Sequence, residues 1–406
     1  MIANIEPSKA LGSIKVPPSK SLAHRYIICA ALAKGESHIS NVDFSEDIKA
    51  TIDCIKAMGA KVDVEDDRVV VCGVGDSLNK ESIDFYCRES GSTMRFFMGL
   101  SMYYGIPSRF FGSETLRKRP FSIYEEICKQ NRIAFKKEAD HIFVSGKITP
   151  GKFVIPGNIS SQFITGLLYI LPFFDVDSTI ELIKPVESKS YIDLTIQALD
   201  LYGVKVTWES ENVLYIEGNQ AYKASDVRVE GDYSNAAFLD AFNYIGGSVK
   251  TLDLNANSLQ GDRVYKSLFD NLIDANEVVD ISDCPDLGPV LFAVAAANKG
   301  GHFTGTKRLK MKESDRGTVM CAELSKFGVK SLIEENDITI YAGKLNRPVE
   351  ILNGHNDHRI VMSLALLLSL FGGRVNEAEA VTKSYPGFFS DIKTLGIEVD
   401  VDGMDK

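Results

Sequence analysis

Six segments of this chain have the composition of buried helices, and they recur at a nearly constant interval. Each is almost entirely apolar, opens near Ser, Asp or Asn, and is followed by Gly and a β-prone run. They begin at Ser21, Ser92, Ser161, Ser234, Asp286 and Asn356, so four of the five intervals lie between 69 and 73 residues. A fixed period of this kind is the signature of a repeat architecture.

A second element alternates with the first. It is an amphipathic helix that ends in Gly and continues as a strand, a polar turn and a second strand. Full copies occupy residues 55–73, 198–218 and 323–343, a weaker copy lies at 127–146, and truncated copies lie at 268–282 and 394–401. Gly after each helix suits the left-handed C-cap conformation, and the alternation at 62–71 predicts a β-hairpin.

Together the two elements predict an α/β fold of six βαβαββ units, three in each of two similar domains. A chain of 406 residues is too long for one ordinary core, which favours two domains. In each unit we expect the apolar helix to be buried and the amphipathic helix to lie outside it.

Composition narrows the function. A net charge of −10 argues against a general nucleic-acid binder, which needs a basic face. Seven cysteines without a CxxC pair indicate reduced thiols in a cytoplasmic protein and predict no metal site. No signal-peptide pattern opens the sequence, and the apolar run 360–371 is too short to cross a bilayer, so we expect no membrane association.

Polar residues gather at the starts of the six apolar helices. A buried helix N-terminus presents free N–H groups and a partial positive charge, so several converging ends would bind anions. Each Ser, Asp or Asn taken alone is better explained as an ordinary helix cap. Capping does not explain the basic residues beside the caps, which are Lys20, Arg25, Arg95 and Arg359.

Further basic residues cluster in the loops at 117–120, 308–316 and 383–387. Charge runs are usually solvated surface, but Lys312, Glu313 and Arg316 have the spacing of one helical face or a tight turn. Arg suits a bidentate grip on carboxylate or phosphate, and Lys supplies a movable charge or a proton. We therefore expect an enzyme site that binds phosphorylated anions.

Ten motifs at these positions carry a resemblance to a known family. They are PPSKSLAHR (17–25), ESGSTMR (89–95), RKRP (117–120), SSQF (160–163), SKSYID (188–193), EGDYSNA (230–236), QGD (260–262), KMKESDR (310–316), NDHR (356–359) and KSYPGFF (383–389). In this order they closely resemble the 5-enolpyruvylshikimate-3-phosphate synthase family of enolpyruvyl transferases. Single motifs such as QGD mean little, but the set spans almost the whole chain.

The resemblance implies an inside-out α/β barrel fold in two domains. Domain one would comprise residues 1–14 plus 231–406 and domain two residues 15–230, with crossings near 14–16 and 229–232. The site would lie in the cleft between them, and the cleft would close when shikimate 3-phosphate binds. The family expectation is a cytoplasmic monomer that takes small-molecule substrates and binds neither nucleic acid nor membrane.

The implied reaction transfers the enolpyruvyl group of phosphoenolpyruvate to the 5-hydroxyl of shikimate 3-phosphate and releases phosphate through a tetrahedral intermediate. It serves the shikimate pathway of aromatic amino acid biosynthesis, and the herbicide glyphosate targets it. No cofactor and no metal are implied. Asp286 would accept the proton of the hydroxyl, and Glu313 with Lys20 would protonate the methylene carbon.

The resemblance also assigns the substrate contacts by position. Shikimate 3-phosphate would be bound by Lys20, Ser21, Arg25, Ser160, Ser161, Gln162, Ser188, Asp286 and Lys312. Phosphoenolpyruvate would be bound by Lys20, Gly91, Arg119, Gln162, Arg316, Arg359 and Lys383. One departure concerns Glu89, where the family commonly has Asn; an acid there places negative charge near the phosphoenolpyruvate contacts.

Three alternatives remain at the level of sequence. The sister enzyme that transfers enolpyruvate to UDP-N-acetylglucosamine uses a Cys in the loop corresponding to 112–120, which has none here; Cys128 falls later, in an expected helix. An RNA-end-processing relative is disfavoured by the acidic balance and the absence of a basic aromatic stripe. A non-catalytic anion-binding relative would have no use for Lys20, Asp286 and Glu313 together.

Overall fold

The computed structural model describes residues 1–76, 78–274 and 278–403. Its chain divides into two compact units. The N-terminal unit comprises Pro18–Glu230, and the C-terminal unit comprises Met1–Pro17 together with the chain from Gly231 onward. Each unit has a hydrophobic core of its own.

Helices and strands are interspersed along the whole chain. The helices are α1 Lys20–Leu32, α2 Glu46–Met58, α3 Gly91–Tyr104, α4 Glu114–Lys118, α5 Ser122–Asn131, α6 Ser161–Leu168, α7 Lys189–Leu201, α8 Tyr233–Asp240, α9 Tyr265–Asp274, α10 Gly288–Ala297, α11 Arg316–Lys326, α12 His358–Phe371 and α13 Phe388–Thr394. The strands are β1 Ile2–Ile5, β2 Leu11–Lys15, β3 Glu36–Ser40, β4 Lys61–Glu65, β5 Arg68–Cys72, β6 Ile83–Tyr86, β7 Ser108–Phe111, β8 Ala134–Lys137, β9 His141–Ser145, β10 Lys152–Pro156, β11 Ser178–Ile183, β12 Val206–Ser210, β13 Val213–Ile216, β14 Val227–Arg228, β15 Ser248–Leu252, β16 Val278–Asp280, β17 Gly300–Thr304, β18 Ser331–Ile333, β19 Asp337–Tyr341, β20 Gly373–Asn376 and β21 Val399–Val401.

Three four-stranded sheets of one pattern build the N-terminal unit. Their strand orders are β6-β7-β9-β8, β10-β11-β13-β12 and β14-β3-β5-β4. In each sheet the first two strands are parallel and the others antiparallel, as a βαβαββ unit requires. The third sheet takes its first strand, β14, from the end of the unit, so residues 227–228 complete the repeat that α1 begins.

The C-terminal unit repeats the pattern less completely. Its four-stranded sheet β16-β17-β19-β18 matches the other three. A parallel pair, β2 with β15, and an antiparallel sheet, β20-β1-β21, form the remainder. The truncated copies expected at 268–282 and 394–401 belong to this unit, although residues 275–277 of the first lie outside the described residues. The predicted α/β class of βαβαββ repeats is confirmed.

The burial of the helices follows the predicted division. Every residue of α10 from Gly288 to Ala296 is buried, and so is α12 from His358 to Ser369. The amphipathic α2 instead exposes Lys49, Asp53 and Lys56 along one face. Gly59 ends α2 in the left-handed conformation, at φ 115°, as the sequence predicts. Among the described residues, no helix is both long enough and apolar enough to cross a membrane.

Candidate active site

Most of the functional residues expected in the N-terminal unit lie at or near the starts of helices, whereas Arg119 directly follows the end of α4. We call Lys20, Ser21, Arg25, Gly91, Arg119, Ser160, Ser161, Gln162 and Ser188 the N-terminal half-site. Helix α1 begins at Lys20, α3 at Gly91 and α6 at Ser161, while Ser188 immediately precedes α7. Helix α3 packs on α6, and both α1 and α6 pack on α7. The repeat therefore brings the helix starts into one unit of structure.

Lys20 is held by a carboxylate that sequence reasoning missed. Its Nζ lies 2.9 Å from Asp47 Oδ2, and both side chains are largely buried, at 16% and 11% exposure. Asp47 stands in the first turn of α2, where an acid is expected as a favourable charge near a helix N-terminus. Nothing in the sequence connects it with Lys20, 27 positions earlier.

Arg25 is fixed by three hydrogen bonds. Its Nε donates to Thr195 Oγ1 at 2.9 Å, and its two terminal nitrogens donate to the carbonyl oxygens of Ser21 at 2.7 Å and Tyr191 at 2.9 Å. Burial lowers the pKa of Arg25, while nearby tyrosines raise it in part. These bonds use three of the five N–H groups, so the guanidinium is oriented and keeps donors for an anion.

Gln162 is held by Arg95. The resemblance assigns no substrate contact to Arg95, which is one of the basic residues beside the helix caps. Arg95 donates to Gln162 Oε1, and Gln162 Nε2 donates to Ser92 Oγ at 2.9 Å. The Arg95 guanidinium lies over the ring of Phe163 at 5.1 Å. The contact joins the start of α6 to the start of α3, so the Gln162 amide has one orientation.

Gly91 leaves room for two guanidinium groups. A Cβ at this position would lie 2.6 Å from Arg119 NH1 and 3.5 Å from Arg95 NH1. The first distance is shorter than two atoms tolerate, so any side chain would displace Arg119. The group that a side chain at Gly91 would crowd is therefore the guanidinium of Arg119. Glu89, two residues earlier, is half-buried.

The four serines of this half-site are positioned differently from one another, and Ser21 is the second residue of α1. Ser160 caps α6, and its Oγ accepts from the backbone N–H of Gln162 at 3.3 Å. Ser161 is the first residue of that helix. Ser188 is buried and has a left-handed backbone, with φ 54°. Such a conformation costs a non-glycine residue free energy and recurs at functional sites.

Five of the six residues expected in the C-terminal unit form one cluster of ion pairs around Arg316 and Asp286. We call Asp286, Lys312, Glu313, Arg316, Arg359 and Lys383 the C-terminal half-site. Arg316 is only 1% exposed and contacts three carboxylates: its Nε meets Asp357 Oδ2 at 2.8 Å, NH1 meets Asp286 Oδ1 at 2.7 Å, and NH2 meets Glu313 Oε2 at 2.5 Å. Asp357 is the N-cap of α12. In the sequence, capping alone accounts for an Asp at this position, so nothing there indicates its contact with Arg316.

Asp286 is surrounded by cations. Besides Arg316, its carboxylate lies 2.9 Å from Lys312 Nζ and 3.5 Å from Arg359 NH2. Burial alone would raise the pKa of Asp286, but the charges of Arg359, Lys312 and Arg316 outweigh it and hold the pKa well below its usual range. An anionic ligand that drew these cations away would raise the proton affinity of Asp286.

Lys312 and Lys383 approach the half-site from two loops. Burial lowers the pKa of Lys312; Arg316 and Arg308 add to this effect and Asp286 opposes it. Lys383 Nζ donates to the carbonyl oxygen of Asn356 at 2.6 Å. Lys312, Glu313 and Arg316 do not share one helical face: a 3-10 turn ends at Met311, a bend carries Lys312 and Glu313, and α11 begins at Arg316.

The two half-sites belong to different units of the chain. The structure therefore brings together Asp286, Lys312, Glu313, Arg316 and Arg359 on one unit. On the other unit it brings together Gly91, Arg119 and Gln162 through Arg95 and Ser92. Lys20 and Glu313, which are expected to protonate the methylene carbon together, lie on different units. The acidic group that contacts Lys20 is Asp47.

Comparison with known proteins gives a consistent result. The model of one protein family, described as EPSP synthase (3-phosphoshikimate 1-carboxyvinyltransferase), matches residues 5–392. The chain is 41% identical to the 3-phosphoshikimate 1-carboxyvinyltransferase of Clostridium perfringens (strain 13 / Type A), over 97% of both chains. It is 39% identical to the protein of that name from Clostridioides difficile (strain 630), over 99% of both. Its fold is similar to EPSP synthase from Acinetobacter baumannii, with a TM-score of 0.81 at 21% identity over 99% of this chain and 100% of that one.

Proposed function

The chain belongs to the EPSP synthase (3-phosphoshikimate 1-carboxyvinyltransferase) family, and we propose on that basis that it transfers the carboxyvinyl group of phosphoenolpyruvate to the 5-hydroxyl of shikimate 3-phosphate. Phosphate is the second product. The reaction is a step of the shikimate pathway, toward aromatic amino acids. The observation that carries the proposal is the cation cluster around Asp286 and Glu313, in which both acids contact Arg316.

The chemistry needs one proton removed from oxygen and one delivered to carbon. In the addition step the 5-oxygen bonds to C2 of phosphoenolpyruvate as its proton leaves, and the methylene C3 gains a proton to become a methyl group. In the elimination step the methyl group returns a proton and the C2–O bond to phosphate breaks. A carboxylate serves at either end when its surroundings suit the role.

Asp286 is the base for the 5-hydroxyl in this mechanism. The cations around it keep it ionised in the free protein. When the anionic substrates bind Lys312, Arg316 and Arg359, part of this stabilisation is withdrawn and the carboxylate becomes a stronger base. Glu313, with Lys20, handles the proton at C3. The same cations then stabilise the charge on the departing phosphate.

The substrate contacts divide by chemical group. Arg25 binds the carboxylate of shikimate 3-phosphate, because its orientation is already fixed by three bonds. Its phosphate is bound by Ser160, Ser161, Ser188 and Lys312. Further contacts with this substrate come from Lys20, Ser21, Gln162 and Asp286. Hydrogen-bond donors that are already oriented lose little conformational entropy when the substrate binds, which favours affinity.

Phosphoenolpyruvate carries a carboxylate and a phosphate and needs several cations. They are Lys20, Arg119, Arg316, Arg359 and Lys383, with Gly91 and Gln162 completing the set. The absence of a side chain at Gly91 supports this assignment, since it admits Arg119. No cofactor takes part in this scheme.

The two compact units are the two domains of this scheme, and binding of shikimate 3-phosphate draws them together. All seven cysteines, each among the described residues, are free thiols, which supports a cytoplasmic enzyme. The family expectation of a monomer is retained. Cys128 is buried in α5, and burial raises its pKa to about 12, so it does not support the UDP-N-acetylglucosamine alternative.

An acceptor comparison tests the proposal. Purified protein with phosphoenolpyruvate is offered shikimate 3-phosphate or UDP-N-acetylglucosamine, and phosphate release is followed. We expect release with shikimate 3-phosphate alone. Release with the UDP-sugar instead, or with neither acceptor, would overturn the proposal.

A further inference from the structure

The QGD motif at 260–262 has no role in the proposed mechanism, yet its side chains are buried. Gln260 is 7% and Asp262 is 3% exposed. Asp262 stands in a 3-10 turn at Gly261–Val264, which packs against α8 and α9. A buried carboxyl group is costly unless it is paired, so its presence needs an explanation.

This turn fastens the start of α8. Gln260 Oε1 accepts from the backbone N–H of Tyr233 at 3.0 Å, and Gln260 Nε2 donates to the carbonyl oxygen of Gly231 at 2.9 Å. Ser234 Oγ donates to Asp262 Oδ2. The motif therefore fixes residues 231–234, where the chain enters the C-terminal unit.

The same helix start adjoins the C-terminal half-site. Helix α8 packs against α12 and against the 3-10 turn Pro285–Leu287 that holds Asp286. The Arg359 guanidinium lies 5.9 Å from the centre of the Phe238 ring in α8, and its NH1 donates to the carbonyl oxygen of Asp286 at 3.1 Å. Asp262 is thus close enough to feel the charges of both Asp286 and Arg359.

Asp262 has one oxygen that the structure leaves without a partner. Its Oδ1 is buried and accepts no hydrogen bond from any described residue. The titratable groups around it are Asp232 at the start of α8, Asp286, Arg359 and the buried thiol of Cys284. A carboxylate with one buried, unpaired oxygen strongly favours its protonated form.

We propose that Asp262 is a positioning residue of the C-terminal half-site. In its uncharged form it holds Ser234 and the start of α8 beside Asp286 and Arg359. In its charged form it weakens the binding of an anion by Arg359. This inference rests on the proposed function for the identity of that anion, phosphoenolpyruvate.

The ionisation of Asp262 falls in the range where enzymes work. Burial and the negative charge of Asp286 raise the pKa of Asp262 to about 7, although Arg359 and the Ser234 hydroxyl lower it in part. The charge of the same Arg359 holds the pKa of Asp286 well below its usual range. Two neighbouring carboxyl groups with pKa values pushed apart divide their work, one charged and one neutral.

The first test is the pH profile of Asp262→Asn, whose amide keeps an acceptor for Ser234. In the wild type, KM for phosphoenolpyruvate should rise on the order of tenfold above pH 7, because a full charge appears near Arg359. The variant should lack that rise. Titration of the substrate phosphate affects both proteins equally and cancels in the comparison.

Asp240→Asn is the matched control. Asp240 is also a buried acid of α8, but it contacts Tyr265, Thr251 and Lys266 instead of the half-site. Its profile should keep the wild-type rise. A profile for Asp262→Asn that has the wild-type shape would overturn the inference, even if phosphate release confirms the proposed function.

A second test does not depend on turnover. The folded pKa of Asp262 exceeds the unfolded value near 3.9, so the wild type loses stability as pH rises from about 4 to 7 and the loss is complete above 7. The Tm of Asp262→Asn minus that of the wild type should therefore grow between pH 5 and 7 and then level off. A constant difference contradicts the inference.

Ser234→Ala provides a variant that keeps the carboxyl group. Loss of the Ser234 hydroxyl removes a hydrogen bond that favours the charged form of Asp262. The inflection in KM, and the matching inflection in Tm, should therefore move to higher pH. An unchanged inflection, or a shift to lower pH, would overturn the assignment.

Discussion

At the scale of single residues, the sequence indicated the reactive groups but not what holds them. The starts of the apolar helices predicted Lys20, Gly91, Gln162 and Arg359 from local patterns and resemblance. Their partners Asp47 and Arg95 lie 27 and 67 positions away from Lys20 and Gln162. Side-chain pairs between separate elements leave no mark in one sequence, because capping and surface charge explain each partner equally well.

Gly91 gives a sharp prediction at this scale. In Gly91→Ala the new Cβ displaces the end of the Arg119 side chain. The displacement costs the proposed charge-assisted contact between Arg119 and phosphoenolpyruvate, worth roughly 1.5–3 kcal/mol. KM for phosphoenolpyruvate should rise about tenfold or more, with little change in KM for shikimate 3-phosphate. Steady-state kinetics measures both. Gly343→Ala, where an added Cβ meets nothing within 4 Å, is the control.

Asp286 tests the proposed division of proton transfer. Asp286→Ala should lower kcat by about 100-fold or more, since it removes the base. Binding of shikimate 3-phosphate should persist, because Lys312, Arg316 and Arg359 lose only a counter-charge. Asp283→Ala changes an exposed acid three positions earlier and should be neutral. Turnover near the wild-type rate in Asp286→Ala would remove Asp286 from the mechanism.

At the scale of elements, periodicity predicted where the buried helices begin better than where they end. The six starts lie within two residues of the predicted ones. Helix α6 ends at Leu168, and a short 3-10 turn follows at Leu171–Phe173; α8 ends at Asp240, and a 3-10 turn continues it directly at Ala241–Ile245. Pro172 accounts for the first break, and at the second Asn243 exchanges two hydrogen bonds with the backbone of Val249. An apolar pattern continues through both places, so it cannot show the breaks.

A buried chain of hydrogen bonds joins three helices of the N-terminal unit. His24 Nδ1 meets Thr51 Oγ1 at 2.7 Å, Thr51 Oγ1 meets Thr93 Oγ1 at 2.7 Å, and Thr93 Oγ1 donates to Ser90 Oγ at 2.7 Å. Burial lowers the pKa of His24 well below its usual range, and Lys20 and Arg25 add to the effect, so the ring is neutral. The chain links the helix of Lys20 to the start of the helix of Gly91.

Thr51→Val removes the middle of this chain: the buried His24 Nδ1 loses its bond to Thr51, while Thr93 keeps its bond to Ser90. The free energy of unfolding should fall by about 1–3 kcal/mol. Urea unfolding measures it, and Thr179→Val on strand β11 should change stability by less than about 0.5 kcal/mol. Equal stability of the two variants would show that the chain does not couple the helices.

At the scale of the whole molecule, the repeat predicted the sheets but not how the chain closes them. Strand β14 completes the sheet that β3 begins, although nearly 190 residues separate them. The short run at 227–228 carries too little periodicity to be found from sequence. The less regular sheets of the C-terminal unit likewise depend on β1 and β2 from the other end of the chain.

Domain closure is a prediction at this scale. In the proposed scheme the basic charges of the two half-sites oppose closure until an anion neutralises them, so shikimate 3-phosphate should favour a compact state. Small-angle scattering should show a smaller radius of gyration with shikimate 3-phosphate than without it. Shikimate, which lacks the phosphate, is the matched ligand and should have a weaker effect. An unchanged radius at saturating shikimate 3-phosphate would refute closure.

Phosphorus NMR of the complete reaction tests the central claim most directly, because it follows both phosphate groups at once. We expect the phosphoenolpyruvate signal to be replaced by inorganic phosphate only when shikimate 3-phosphate is present, while the phosphate ester of shikimate 3-phosphate persists in the product. Loss of that ester instead, or phosphate release from phosphoenolpyruvate without the acceptor, would show a phosphatase and contradict the assignment as a carboxyvinyl transferase.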